Sequence, residues 1–222
     1  MLTLAIDTST NILSVALVRG DEVLASIDEQ TKNNQSEILL SRIEKMMTEC
    51  NLKPTDLELI AVAIGPGSYT GIRVGVAAAK SLSYALEIAV VGISSLEIMA
   101  KLSLEEYSVI EAKVDIVVPM IDARRGTVFA GAYDSNGDHI ISEGHYNINE
   151  FLGGLPLGRS VFFVGDDTLA DKESWVTRES ALEGSKAEVL AMLASNISPI
   201  ENIHSLKPNY LRKTEAEMNA SV

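Results

Sequence analysis

The sequence predicts an α/β protein of two tandem halves, each a mixed sheet flanked by helices, and three observations carry that expectation. Hydrophobic periodicity switches from the two-residue alternation of strands to helical spacing and back along the chain. An apolar run ends in a glycine-rich turn, Gly65-Pro66-Gly67-Ser68-Tyr69-Thr70-Gly71, that opens the next helical stretch. The order of strands and turns in residues 1–104 then recurs in residues 105–222, with little residue identity.

Leu2 to Ile6 reads as a short strand ending at Asp7, and Ile12 to Val18 as its antiparallel neighbour after a polar turn. Arg19-Gly20-Asp21 supplies the following turn, and Glu22 to Ile27 alternates as a third strand. From Asn34 to Glu49 the period changes. Leu39, Ile43, Met46 and Met47 fall at helical spacing, with most charges elsewhere on the wheel. Leu59 to Ile64 is apolar throughout, as a strand covered on both faces should be. A helix is expected over Thr70 to Leu86 and a strand over Val90 to Ile93. A further helix begins at the Ser94/Glu97 capping-box pair, and the first half closes near Leu104.

The second half follows the same order. Asp115 to Ile121 ends at Asp122 as the first strand ends at Asp7, and Thr127 to Tyr133 returns from a turn at Gly126. Ser135-Asn136-Gly137-Asp138 signals a hairpin into His139 to Ser142. Val161 to Val164 stops at Gly165 as the earlier strand stops at Gly65, and a helix over Lys186 to Ser195 completes the repeat. The expected domains are therefore 1–104 and 105–222, with the tail after Ser205 able to return to the first domain.

Composition narrows the function classes. With 46% apolar and 22% charged residues among 222, the chain has the balance of a folded globular protein. Its apolar runs are far shorter than the roughly 20 residues a spanning helix needs, so no membrane segment is expected. The amino terminus lacks a basic stretch before its apolar run, and the chain is expected to remain in the cytoplasm. Cys50 is the only cysteine, so no internal disulfide can form. His139, His145 and His204 show no metal-ligand spacing, and no metal or cofactor is expected. A net charge of −13 argues against strong direct binding to nucleic acid, which needs clustered Lys and Arg. Acidity that serves solubility alone accounts for the charge more plainly.

The glycine-rich turn lies between a strand and a helix, where backbone N–H groups could hold a phosphate. It lacks the lysine of GxxxxGK[ST], and its glycines miss the GxGxxG spacing. Close packing of a strand-to-helix turn accounts for the glycines more economically. Gly71, Val74, Gly75, Ala78 and Leu82 lie toward one side of the following helix, which suits either a partner helix or the chain's own sheet. Together with Leu39, Ile43 and Met46 of the earlier helix they form the candidate partner interface; methionine adapts readily to binding surfaces. Ser68 sits in no nucleophile-elbow pattern, and no catalytic set is evident.

Several segments together carry a resemblance: Ala5-Ile6-Asp7-Thr8-Ser9, Gly65-Pro66-Gly67-Ser68-Tyr69-Thr70-Gly71-Ile72-Arg73, Ala79-Lys80-Ser81-Leu82, Ile121-Asp122-Ala123-Arg124-Arg125-Gly126 and Lys207-Pro208-Asn209-Tyr210-Leu211-Arg212. Along essentially the whole chain it resembles the TsaB (YeaZ) family, the non-catalytic subunit of the bacterial complex that makes threonylcarbamoyladenosine in transfer RNA. The resemblance implies two tandem actin-like (ASKHA, ribonuclease-H-like) domains. It implies a scaffold role, pairing with TsaD, the subunit that carries the metal and the transferase chemistry, through the helices Asn34 to Glu49 and Thr70 to Leu86. A small ATPase, TsaE, is expected to join, and a homodimer is expected when the chain is alone. Many relatives carry histidine before the serine of the first helix, where this chain has Gln35 before Ser36.

The competing reading is an actin-like ATPase or kinase, whose nucleotide would lie at Asp7, Thr8, Ser9, Gly65, Gly67 and Asp122. Thr8 stands where such enzymes use a glycine, so the site would be vestigial. A peptidase reading finds neither nucleophile nor metal set.

Overall fold

The structure, a computed structural model, describes residues 1–31, 34–110, 114–165 and 184–211, the side chains of 106–110 excepted. Two compact units share the chain. The first holds Met1–Ile98 and the described part of Glu183–Pro208; the second holds the described parts of Met99–Leu182 and Asn209–Val222.

The first unit is built on a five-stranded sheet. Strands β1 (Leu2–Asp7), β2 (Ile12–Arg19) and β3 (Glu22–Gln30) form an antiparallel meander, and β4 (Leu59–Ala63) and β5 (Ala89–Ile93) add to β1 in parallel, giving the order β3-β2-β1-β4-β5. Helix α1 (Gln35–Glu49) connects β3 to β4, and α2 (Tyr69–Leu86) connects β4 to β5. Strand alternation sorts side chains by size. Leu4, Ile6, Leu13, Val15, Leu17, Ile60 and Val62 share one core with Leu39, Ile43 and Met46 of α1 and Ile72, Val76 and Ala79 of α2. The intervening positions, Thr3, Ala5, Ser14, Ala16, Ala61 and Ala63, are equally buried but mostly small. Small residues let a helix approach closely, and a helix near the carboxyl end, Lys186–Ala194, packs on β1, β2, β4 and β5. The Ser14 hydroxyl accepts the Ala187 N–H at 3.0 Å and meets the Ser185 hydroxyl at 3.2 Å.

That placement departs from the domains expected from the sequence. The helix over Lys186 to Ser195, expected to complete the second half, covers the first sheet. A sheet whose β1 and β2 are buried on both faces requires a second layer, and no described segment of residues 1–104 supplies it. The segment after this helix also stays with the first unit: the Ile200 N–H donates to the Val90 carbonyl, and Leu206 enters the core. Nor does a boundary fall at Leu104. Helix α3 (Ser95–Ile110) runs through that position, and from Met99 onward it belongs to the second unit.

In the second unit, β6 (Ile116–Asp122), β7 (Thr127–Asp134) and β8 (His139–Asn147) form the meander and β9 (Val161–Gly165) pairs with β6 in parallel. The order β8-β7-β6-β9 repeats β3-β2-β1-β4. One face packs Val118, Met120, Val128 and Phe163 against Phe151 and Leu155, at and just beyond the short helix α4 (Ile148–Gly153). The other packs Val117, Tyr133, Phe162 and Val164 against Met99 and Ala100 of α3. The helix Lys186–Ala194 on the first sheet is then α5. The duplication reaches the turns: the N–H of Ser9 donates to Asp7 Oδ1 at 2.7 Å, as the N–H of Arg124 does to Asp122 Oδ1 at 2.7 Å.

Candidate functional site

The carboxyl ends of β1, β4 and β5 bring three turns together in the first unit. Asp7, last in β1 and 1% exposed, uses Oδ1 on the Ser9 N–H. Among the described residues its buried Oδ2 has no hydrogen-bond partner, nor have the buried hydroxyls of Ser9 and Ser95. Ser68 donates its N–H to the Ser9 carbonyl at 2.7 Å, and Ser95 donates its N–H to the Gly65 carbonyl at 3.0 Å. The turn after β1, the turn after β4 and the start of α3 are thus tied through backbone bonds.

The glycines make this approach possible. A Cβ at Gly67 would collide with the Ser9 carbonyl, one at Gly71 with the Thr8 carbonyl, and one at Gly75 with the Thr8 hydroxyl. Thr8, fully buried, donates its hydroxyl to the Gly71 carbonyl at 2.7 Å. The Gly71 N–H at the start of α2 is met by the Ser68 hydroxyl at 3.2 Å. The turn and the helix start therefore pack against each other, with the Thr8 side chain filling the space between β1 and α2. Of the candidate nucleotide residues, Asp7, Thr8, Ser9, Gly65 and Gly67 gather here, while Asp122 belongs to the second unit.

The candidate interface residues fall elsewhere than expected. Leu39, Ile43 and Met46 are 1%, 5% and 1% exposed and form the core beneath α1. Gly71 and Gly75 press against Thr8, and Val74, Ala78 and Leu82 are half-buried at the core margin. These side chains serve the chain's own sheet, because a sheet face of large aliphatic residues takes the whole apolar stripe of each helix. What the two helices turn outward is a different set: on α1 Leu40 amid polar and charged residues such as Glu37, Ser41 and Glu44, and on α2 Tyr69, Thr70, Arg73, Ala77, Ser81, Tyr84 and Ala85. Leu40 was the available signal, an apolar residue outside the helical stripe. Arg73 stacks over the Tyr69 ring at 4.4 Å.

Of the histidines, His139 and His145 lie on β8, where His139 stacks on Tyr133 and His145 Nε2 meets the Thr127 hydroxyl at 2.8 Å. His204 lies in a 3-10 turn, Ile203–Ser205, of the first unit. Among the described residues, no group of three or more His, Cys, Asp or Glu could hold a metal ion. No helix among them is long and apolar enough to cross a membrane.

Residues 22–220 match the family model described as "TsaD: tRNA N6-adenosine threonylcarbamoyltransferase". The tRNA threonylcarbamoyladenosine biosynthesis protein TsaB of Bacillus subtilis is 35% identical over 98% of this chain and 96% of its own length. The chain belongs to the TsaB (YeaZ) family. A second TsaB, from Buchnera aphidicola of Schizaphis graminum, is 31% identical over 94% of this chain and 96% of its own. The solved YeaZ of Pseudomonas aeruginosa superposes with a TM-score of 0.77 at 24% identity, covering 95% of this chain and 99% of that one. The fold is thus that of this solved YeaZ, an α/β fold with two mixed sheets flanked by helices, as the sequence leads one to expect.

Proposed function

We propose that this TsaB-family chain is a non-catalytic scaffold in the synthesis of threonylcarbamoyladenosine in transfer RNA, pairing with a TsaD-like catalytic subunit and a TsaE-like ATPase. The observation that carries the reading is the outward face of α2, where Thr70, Ala77, Ser81 and Ala85 are exposed and small. Small residues let a second helix lie close, and Leu40 on α1 gives that surface an apolar element. The same face pairs two copies when the catalytic subunit is absent. The net charge of −13 supports leaving the RNA contacts to the partner.

The test is light scattering of this chain mixed with its TsaD-like counterpart, comparing wild type with Ala77→Arg. The expected outcome is a heterodimer for wild type and its loss in the variant, with an unchanged melting temperature because Ala77 is exposed. Absence of a wild-type complex would sink the proposal. One observation favours a second reading, nucleotide binding: the buried Oδ2 of Asp7, which has no hydrogen-bond partner among the described residues. Calorimetry with magnesium ATP decides it, and no heat from the isolated chain removes it.

A further inference from the structure

At the carboxyl end of α2 the surface of the first unit opens into a cavity of about 650 Å³, between that helix end, the start of β5 and residues 200–203. Tyr84, Ile88, Ile200 and Ile203 supply its apolar and aromatic wall, and Glu87 and Glu201 supply its charge. Among the described residues its lining contains no basic side chain. Lys80 lines an adjoining smaller hollow that shares Tyr84 and Ile203. Its ammonium donates to the carbonyls of His204 at 3.5 Å and Leu206 at 3.2 Å, so it is engaged in holding the 203–206 segment on α2.

Three further features set the chemistry. The cavity lies against the carboxyl end of α2, where the helix dipole presents partial negative charge that adds to the two carboxylates. Glu87 caps that helix in the left-handed region, φ 54°, where glycine is the residue of least strain, so a carboxylate stands at the cavity in a backbone position that does not favour it. Tyr84, 75% exposed, adds an aromatic ring to the lining, a side chain to which a cation is attracted.

We infer that this cavity receives an arginine or lysine side chain of the TsaD-like partner, its aliphatic stem against Ile88, Ile200 and Ile203 and its charge between Glu87 and Glu201. The assignment rests on the scaffold reading above. Tyr84 belongs to the same outward face of α2 as Ala77 and Ser81, so a partner lying along that helix reaches the cavity without leaving it. Charge complementarity selects a cationic group over an apolar one, since an apolar group would desolvate both carboxylates without compensation.

The experiment uses the full chain and two probes. In an amide NMR titration, acetyl-arginine-amide is expected to shift residues 84–88 and 200–203 saturably, and the neutral isostere acetyl-citrulline-amide is not. Glu87→Gln/Glu201→Gln should abolish those shifts while leaving the melting temperature unchanged. With the purified TsaD-like subunit, the double variant should bind about tenfold more weakly at low salt and show a shallower salt dependence. No saturable arginine shift, or an equal citrulline shift, overturns the cavity's chemistry. A complex that Ala77→Arg breaks and the double variant leaves unchanged overturns the occupant while the helix interface stands. No complex with wild type overturns the scaffold reading itself.

Discussion

The contact between Thr8 and α2 leaves no room for a Cβ at Gly71 or Gly75, and its consequences belong to single residues. Gly75→Leu places a side chain where the Thr8 hydroxyl already sits. It is expected to destabilise the protein by about 3 kcal/mol or more, read as a lowered denaturant midpoint, because backbone and buried threonine must both shift. Its effect on partner binding would then report misfolding and not a lost interface. Thr8→Val keeps the shape and removes the hydrogen bond to the Gly71 carbonyl. It should cost about 1 kcal/mol in the same urea titration, and an unchanged midpoint would show that the hydroxyl adds nothing. The turn itself is visible in the sequence, since Gly65, Gly67 and Gly71 crowd the short passage from an apolar strand to a helix, where a tight bend needs residues without a Cβ. Which atoms the glycines admit is not visible there: Ser9 and Thr8 approach from the turn after β1, more than 50 residues away, and such pairings leave no local period.

Between elements, α1 is tied to β3 by Arg42, whose guanidinium donates to both Glu29 oxygens at 2.6 and 2.9 Å. Those hydrogen bonds hold the Glu29 carboxyl below the ordinary glutamate value. A carboxyl depressed in the folded state stabilises above its unfolded value and loses that contribution as pH falls through the folded one. Arg42→Met should therefore melt below wild type at neutral pH, and the two curves should converge as pH falls past the ordinary glutamate value. A pH-independent gap would assign the effect to lost packing. Helices α1 and α2 are legible as amphipathic, yet the stripe expected to meet a partner is core. Periodicity identifies which side of a helix is apolar and is silent on what meets it. Leu39, Ile43 and Met46 meet the chain's own sheet.

For the whole molecule, the duplicated order of strands and turns is legible because it repeats hairpin and glycine signals at matching places, down to the paired turns at Asp7 and Asp122. The path of the carboxyl-terminal part is not. Helix α5 has apolar residues around much of its circumference, so its sequence fits any buried layer. Its position on the first sheet predicts that a chain cut after Leu104 lacks a cooperative thermal transition by circular dichroism, since Ala5, Ala16 and Ala61 would face water. A sharp transition in that fragment would show the layer to be dispensable. The same arrangement orders events during synthesis. Translation delivers β1 well before α5, so until Lys186–Ala194 emerges one face of the first sheet waits uncovered. The unit that β1 begins is closed only once Lys186–Ala194 has emerged, and a chaperone that shields exposed sheet surface would hold it through that interval.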